Sequence, residues 1–114
     1  MTQEDEIKVY LSNDSGLDLL KTIDKLNPMD LPTNKLCTIK DVSVAMNKPL
    51  RETWQLINEA YNCGLVTFYN GLLSRKRVDL TDIGEMISEC TTPVDIKFAL
   101  AEIKKREMEE MKYE

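Results

Sequence analysis

Ten charged residues between Thr38 and Leu80 are the groups in this chain best suited to chemistry: Lys40, Lys48, Arg51, Arg75, Lys76 and Arg77 against Asp41, Glu52, Glu59 and Asp79. The segment is therefore +2 within a 114-residue chain of net charge −5, which leaves −7 on the flanks. Such a patch does electrostatic work. Lysine and arginine displace the counterions of a nucleic acid, and that exchange supplies most nonspecific affinity. A globally acidic chain can still use a local basic patch when its acidic surfaces face away. Three of the cations, Arg75-Lys76-Arg77, are consecutive and follow a turn signal. That is the spacing of a hairpin tip able to touch phosphate.

Residue types for bond-making chemistry are sparse. The chain has no histidine, which removes Ser-His-Asp and Cys-His arrangements and the commonest general base. Gly16, Gly64, Gly71 and Gly84 stand alone, so no phosphate-cradling loop is written in the sequence. Cys37, Cys63 and Cys90 are far apart, odd in number and form no CxxC pair. They read as small buried hydrophobes in a reducing compartment, with Cys63 beside Gly64 the one candidate for a regulatory thiol. Carboxylates are plentiful but scattered over helical faces and tails, as on a solvated surface. No catalytic residue, metal site or cofactor is expected. No apolar run approaches the ~20 residues of a membrane span. The N-terminus, MTQEDEIKVYLS, is acidic where a signal peptide would be basic. The expectation is a cytoplasmic protein without a membrane partner, and the apolar fraction of 42% suits one globular domain with a helical extension.

The elements that must position the basic patch follow from periodicity and punctuation. Residues 1–14 form an acidic segment in which Ile7 to Leu11 alternates like a short strand or opens a helix, the rest being disordered. Ser15 can cap a helix carrying Leu17, Leu20, Ile23 and Leu26, which ends before Asn27-Pro28. A proline-containing loop covers 27–36. Thr38-x-x-Asp41 is a shortened capping box for a helix with Ile39, Val42, Ala45 and Met46 on its apolar side. Asn47-Lys48 breaks it, and Pro49 suits the first turn of the next helix, about 49–63. Thr53, Leu56, Ile57 and Ala60 form the inward face of that helix, and Gly64 suits a left-handed cap. The β-rich LVTFY, the turn Asn70-Gly71 and the returning RKRVDL make a hairpin over about 65–80. Thr81 then caps a helix with Ile83, Met86 and Ile87. After Thr91-Thr92-Pro93, residues 93–114 form a long helix with Ile96, Ala99, Leu100, Ile103, Met108 and Met111.

The order helix, turn, helix, hairpin and helix, with these motifs in it, resembles the winged-helix transcription factors, and among them the MarR-like regulators of bacteria and archaea. The matching phrases are Thr38 to Val42, Asn47-Lys48-Pro49, Gly64-Leu65-Val66, the basic Arg75-Lys76-Arg77, and Leu80-Thr81-Asp82-Ile83-Gly84, which fits the family's Leu-Thr-x-x-Gly after a basic strand. The resemblance implies a mainly α fold with a small β-hairpin (α+β): a winged helix-turn-helix over 15–92 with N- and C-terminal flanking helices. It further implies that Lys48, Arg51, Glu52 and Gln55 face base edges and phosphates from the recognition helix. Arg75, Lys76 and Arg77 would reach DNA from the wing. Ile96, Leu100 and Ile103 would contact a partner subunit in a homodimer. The expected function is a sequence-specific regulator of transcription that binds double-stranded DNA without catalysis. Glu52, Glu59 and the sole tryptophan, Trp54, point to the alternative, a winged-helix module that binds a protein partner through Trp54.

Overall fold

A computed structural model describes residues 2–28, 30–70 and 76–113. The elements run α1 (Gln3–Leu11), α2 (Asp14–Leu26), a 3-10 turn (Thr33–Lys35), α3 (Ile39–Met46), α4 (Leu50–Asn62), β1 (Val66–Asn70), β2 (Lys76–Leu80), α5 (Asp82–Ser88) and α6 (Pro93–Tyr113). The acidic start is thus neither a strand nor disordered. Thr2 caps α1 by accepting from the Asp5 amide, and Glu4, Asp5 and Glu6 sit in the first turn, where the helix dipole favours negative charge. Ile7 and Tyr10 face inward one turn apart. The cap of α2 also differs from the expected Ser15: Asn13 fills that position and accepts from the Ser15 amide. Asparagine binds an N-terminal amide as well as serine does, so the helix starts two residues early.

The inner helix faces are built as their spacing dictates. On α2, Leu19, Leu20 and Ile23 are buried, and on α4, Thr53, Leu56, Ile57 and Ala60. These side chains join Val42 of α3, Val66 and Val78 of the hairpin, Ile87 of α5 and Ile103 of α6 in one core. Each fully buried aliphatic contributes about 1.5–3 kcal/mol relative to exposure. The expected capping box is complete, with Thr38 and Asp41 exchanging side-chain-to-backbone bonds. Ala45, expected on the apolar side, is exposed.

The turn between α3 and α4 fixes the approach of α4. Asn47 takes φ 53°, a left-handed conformation that asparagine tolerates better than most residues. The Ser43 hydroxyl donates to the Lys48 carbonyl at 2.6 Å, and the Lys48 amide donates back to Ser43 O. Gly64, at φ 80°, ends α4, with the Leu65 amide bonded to Ala60 O.

The hairpin is antiparallel, pairing Val66 with Leu80, Phe68 with Val78 and Asn70 with Lys76. Gly71 to Arg75, including the second half of the expected turn and one basic tip residue, lie outside the described residues. On its other edge β2 is bridged to the entry of α3, through Thr38 opposite Arg77 and the Val78 amide donating to Cys37 O. Asn27 locks this junction. Its Nδ2 donates to Val78 O at 2.9 Å, and its Oδ1 accepts from the Cys37 amide at 2.8 Å. Asn27→Ala would strand both groups in a part-buried site, at a cost of about 1–3 kcal/mol. A lowered urea midpoint with unchanged m is the expected result, and an unshifted midpoint would contradict the locking role.

On helix α6 the apolar stripe packs against the chain itself. Ile96, Leu100 and Ile103, expected to meet a partner subunit, are spent on the chain's own core: Leu100 is 6% and Ile103 1% exposed, with Ile96 packed beside them. Helices α1 and α5 cover this face. Periodicity identifies an apolar stripe but not what lies over it. The opposite side carries Val94, Phe98 and Met108, all largely exposed.

Candidate nucleic-acid interface

Because Thr53, Leu56, Ile57 and Ala60 anchor α4, its remaining positions are turned outward. Arg51, Glu52 and Gln55 are exposed, and Lys48, in the turn before the helix, is half-buried. The four side chains expected to face nucleic acid therefore gather on one end of one helix. Lys48, Glu52 and Gln55 line a common recess with Asn13 and Ser15 of the α1–α2 junction. Glu59 lies one helical turn farther along on the same side, also exposed. The first turn of α4 mixes charge, with Lys48 and Arg51 beside Glu52, and Glu59 adds a carboxylate toward its far end.

On the hairpin the basic residues part ways. Arg75 lies outside the described residues. Lys76 is exposed, but its Nζ rests over two aromatic faces, 5.6 Å from the Trp54 centroid and 5.4 Å from that of Phe68. An exposed cation–π contact is worth about 0.5–1 kcal/mol, so it orients Lys76 without holding it from a stronger anion. Arg77 points elsewhere. Its Nη1 donates to Leu36 O, and its Nε is buried without a hydrogen-bond partner among the described residues. That places the guanidinium against the entry to α3.

Trp54 is half-buried and sits 5.9 Å from Phe68, while Tyr61 lies 5.0 Å from the same ring. These aromatics fill the space between α4 and the hairpin. The tryptophan that sequence reasoning offered as a partner contact thus packs the chain's own hairpin against α4. Phe68 and Tyr61 escaped that reasoning, since in sequence each is one aromatic in an ordinary element.

Lys21 and Lys25 on α2 were also missed. Lys21 Nζ donates to Ser88 O at 2.8 Å and Cys90 O at 2.7 Å, neutralising carbonyls at the end of α5. With Lys25 and Lys48 it edges a separate recess. Their i, i+4 spacing was the available signal, but it reads as an ordinary solvated face.

Cys63, the candidate regulatory thiol, is 4% exposed, and its pKa is pushed up to about 11 by burial, with Glu6 and Glu59 adding to the shift. Burial likewise raises Cys37 to about 11 and lifts Cys90. A thiol so placed stays protonated at neutral pH and is a poor nucleophile. Among the described residues no group of three His, Cys, Asp or Glu could hold a metal, and no helix is long and apolar enough to cross a membrane.

No family model and no curated protein matches the sequence. The fold does match solved structures. A Staphylococcus aureus MepR variant bound to an oligodeoxyribonucleotide superposes with a TM-score of 0.60 at 16% identity, over 97% of this chain and 80% of that one. A second S. aureus MepR variant gives the same values. A third, from a multidrug resistant clinical isolate, gives 0.60 at 15% identity over 97% and 79%. The chain has the winged-helix fold of MepR: mainly α, with one antiparallel hairpin as the wing.

Proposed function

We propose that this chain is a MarR-like regulator of transcription that binds double-stranded DNA as a homodimer and performs no catalysis. The observation that carries the reading is the outward face of α4, where Lys48, Arg51 and Gln55 stand together while the opposite face is sunk in the core. The helix enters the major groove. Arg51 and Gln55 reach base edges there, guanidinium to guanine and amide to adenine, and Lys48 neutralises a flanking phosphate. Lys76 meets the backbone from the wing. Likeness to MepR, one of whose variants is bound to an oligodeoxyribonucleotide, supports the same reading.

Dimerisation uses the outer side of α6. Val94, Phe98 and Met108 are 60%, 71% and 63% exposed on a helix whose inner face is already satisfied. Apolar side chains clustered on one exposed face suit a second copy. Two recognition helices then read half-sites about one helical turn apart, and the protein acts by occluding or recruiting at a promoter.

Selection from a random duplex pool tests both parts. Enrichment of a palindrome with half-sites centred about 10 base pairs apart is expected. An enriched single half-site would contradict the dimer, and no enrichment would contradict sequence-specific binding. The second reading, a module that docks a protein, is favoured by one observation: the exposed carboxylates of Glu52 and Glu59 on the same helix.

A further inference from the structure

A recess of about 340 Å³ lies between α2 and the turn that precedes α4. Lys21, Lys25 and Lys48 edge it together with Thr22, Asp18 and Met46. Three ammonium groups against one carboxylate leave the recess at a formal +2, in a chain whose total is −5. Among the described residues none of the three lysines lies within 4.0 Å of a carboxylate. They are not consumed by ion pairing.

The three lysines differ in how firmly they are placed. Lys21 is held by its bonds to Ser88 O and Cys90 O, and an ammonium has three donors, so one remains. The backbone of Lys48 is set by the left-handed Asn47 and by the Ser43 hydroxyl on its carbonyl. Lys25, on the exposed side of the last turn of α2, has no hydrogen-bonded partner among the described residues, and its charge is free to move over the mouth. The three lysines outnumber the one carboxylate of the recess, Asp18, and a bound anion would balance that excess.

We propose that this recess is an anion site that takes a phosphate group, with Lys25 and Lys48 as its principal contacts and Lys21 as a fixed third charge. The group is either a backbone phosphate of DNA just outside the half-site or a free phosphate anion. Only the first of these rests on the DNA-binding reading above.

The test compares the full chain with Lys25→Gln and Lys25→Arg. Lys25 is exposed, so both variants should keep the wild-type unfolding midpoint. If a DNA phosphate fills the site, Lys25→Gln weakens duplex binding about tenfold at ~50 mM salt and about threefold at ~200 mM, lowers the salt slope by about one, and is rescued by arginine. If a free anion fills it, inorganic phosphate shifts the amide resonances of Thr22 and Lys48 saturably in wild type and not in Lys25→Gln. That second result, found in a protein that binds no duplex, would retain the recess and defeat the DNA reading. Wild-type duplex affinity in Lys25→Gln, together with amide resonances unmoved by phosphate, would overturn the proposal.

Discussion

Gly84→Ala should cost roughly 3 kcal/mol or more and lower the unfolding midpoint by at least about 10 °C, although the residue lies inside a helix. Helix propensity alone predicts the opposite sign, since alanine is favoured over glycine in a helix by about 1 kcal/mol. The surroundings decide. A Cβ on Gly84 would stand 1.9 Å from Leu65 O and 3.3 Å from the Leu80 Cβ. The nearer neighbour is backbone and cannot rotate away. Leu65 O already accepts from the Thr81 amide at 3.1 Å, the Thr81 hydroxyl donates to Gly64 O at 2.6 Å, and the same hydroxyl accepts from the Gly84 amide. Displacing α5 to make room would break this knot, which joins the end of α4, the wing and the start of α5. Thermal unfolding followed by circular dichroism separates the two forecasts by sign. A midpoint equal to or above wild type would contradict the steric role of Gly84.

The second large effect is on nucleic acid. Lys48→Gln with Arg51→Gln should weaken duplex binding on the order of a hundredfold at ~50 mM salt and reduce the salt slope by about one, from the phosphate-directed Lys48, with Arg51 lost as a base contact. Arg51 is exposed on α4 and Lys48 is half-buried beside it, with no ion pair to either among the described residues, so the fold should survive the change. Lys76→Gln should act more weakly, because it removes one charge where the double variant removes two. Arg77→Gln should be felt chiefly as lost stability, through its bond to Leu36 O. A double variant with wild-type affinity would move the interface off the N-terminal end of α4.

The parts of this molecule set by local rules were readable in sequence. The inward face of α4, the Thr38–Asp41 box, the left-handed Gly64 and the Thr81 cap each follow from residue type and spacing, and each stands where expected. Helix α1 was not readable. Only Ile7 and Tyr10 of its nine residues are buried, while Val9 is 63% exposed, so too few turns exist for a period to emerge. What covers a face was equally hidden. The stripe of α6 meets the chain's own α1 and α5, and Trp54 meets Phe68 across 14 residues of sequence, contacts that tertiary packing alone creates. The direction of Arg77 depends on its pairing opposite Tyr69 and on the bridge to Thr38, which three consecutive basic letters do not record. The basic recess escaped because Lys25 and Lys48 come from elements separated by a loop.

The measurement that bears most directly on the proposed function is a fluorescence-anisotropy titration of labelled random-sequence duplex with the intact protein at ~50 and ~200 mM salt. A chain that engages six or more phosphates should bind at the lower salt and lose about a thousandfold or more in affinity at the higher. Absence of binding at ~50 mM would contradict the account: the −7 of the flanks would outweigh the +2 segment, and the outward face of α4 would belong to a protein partner.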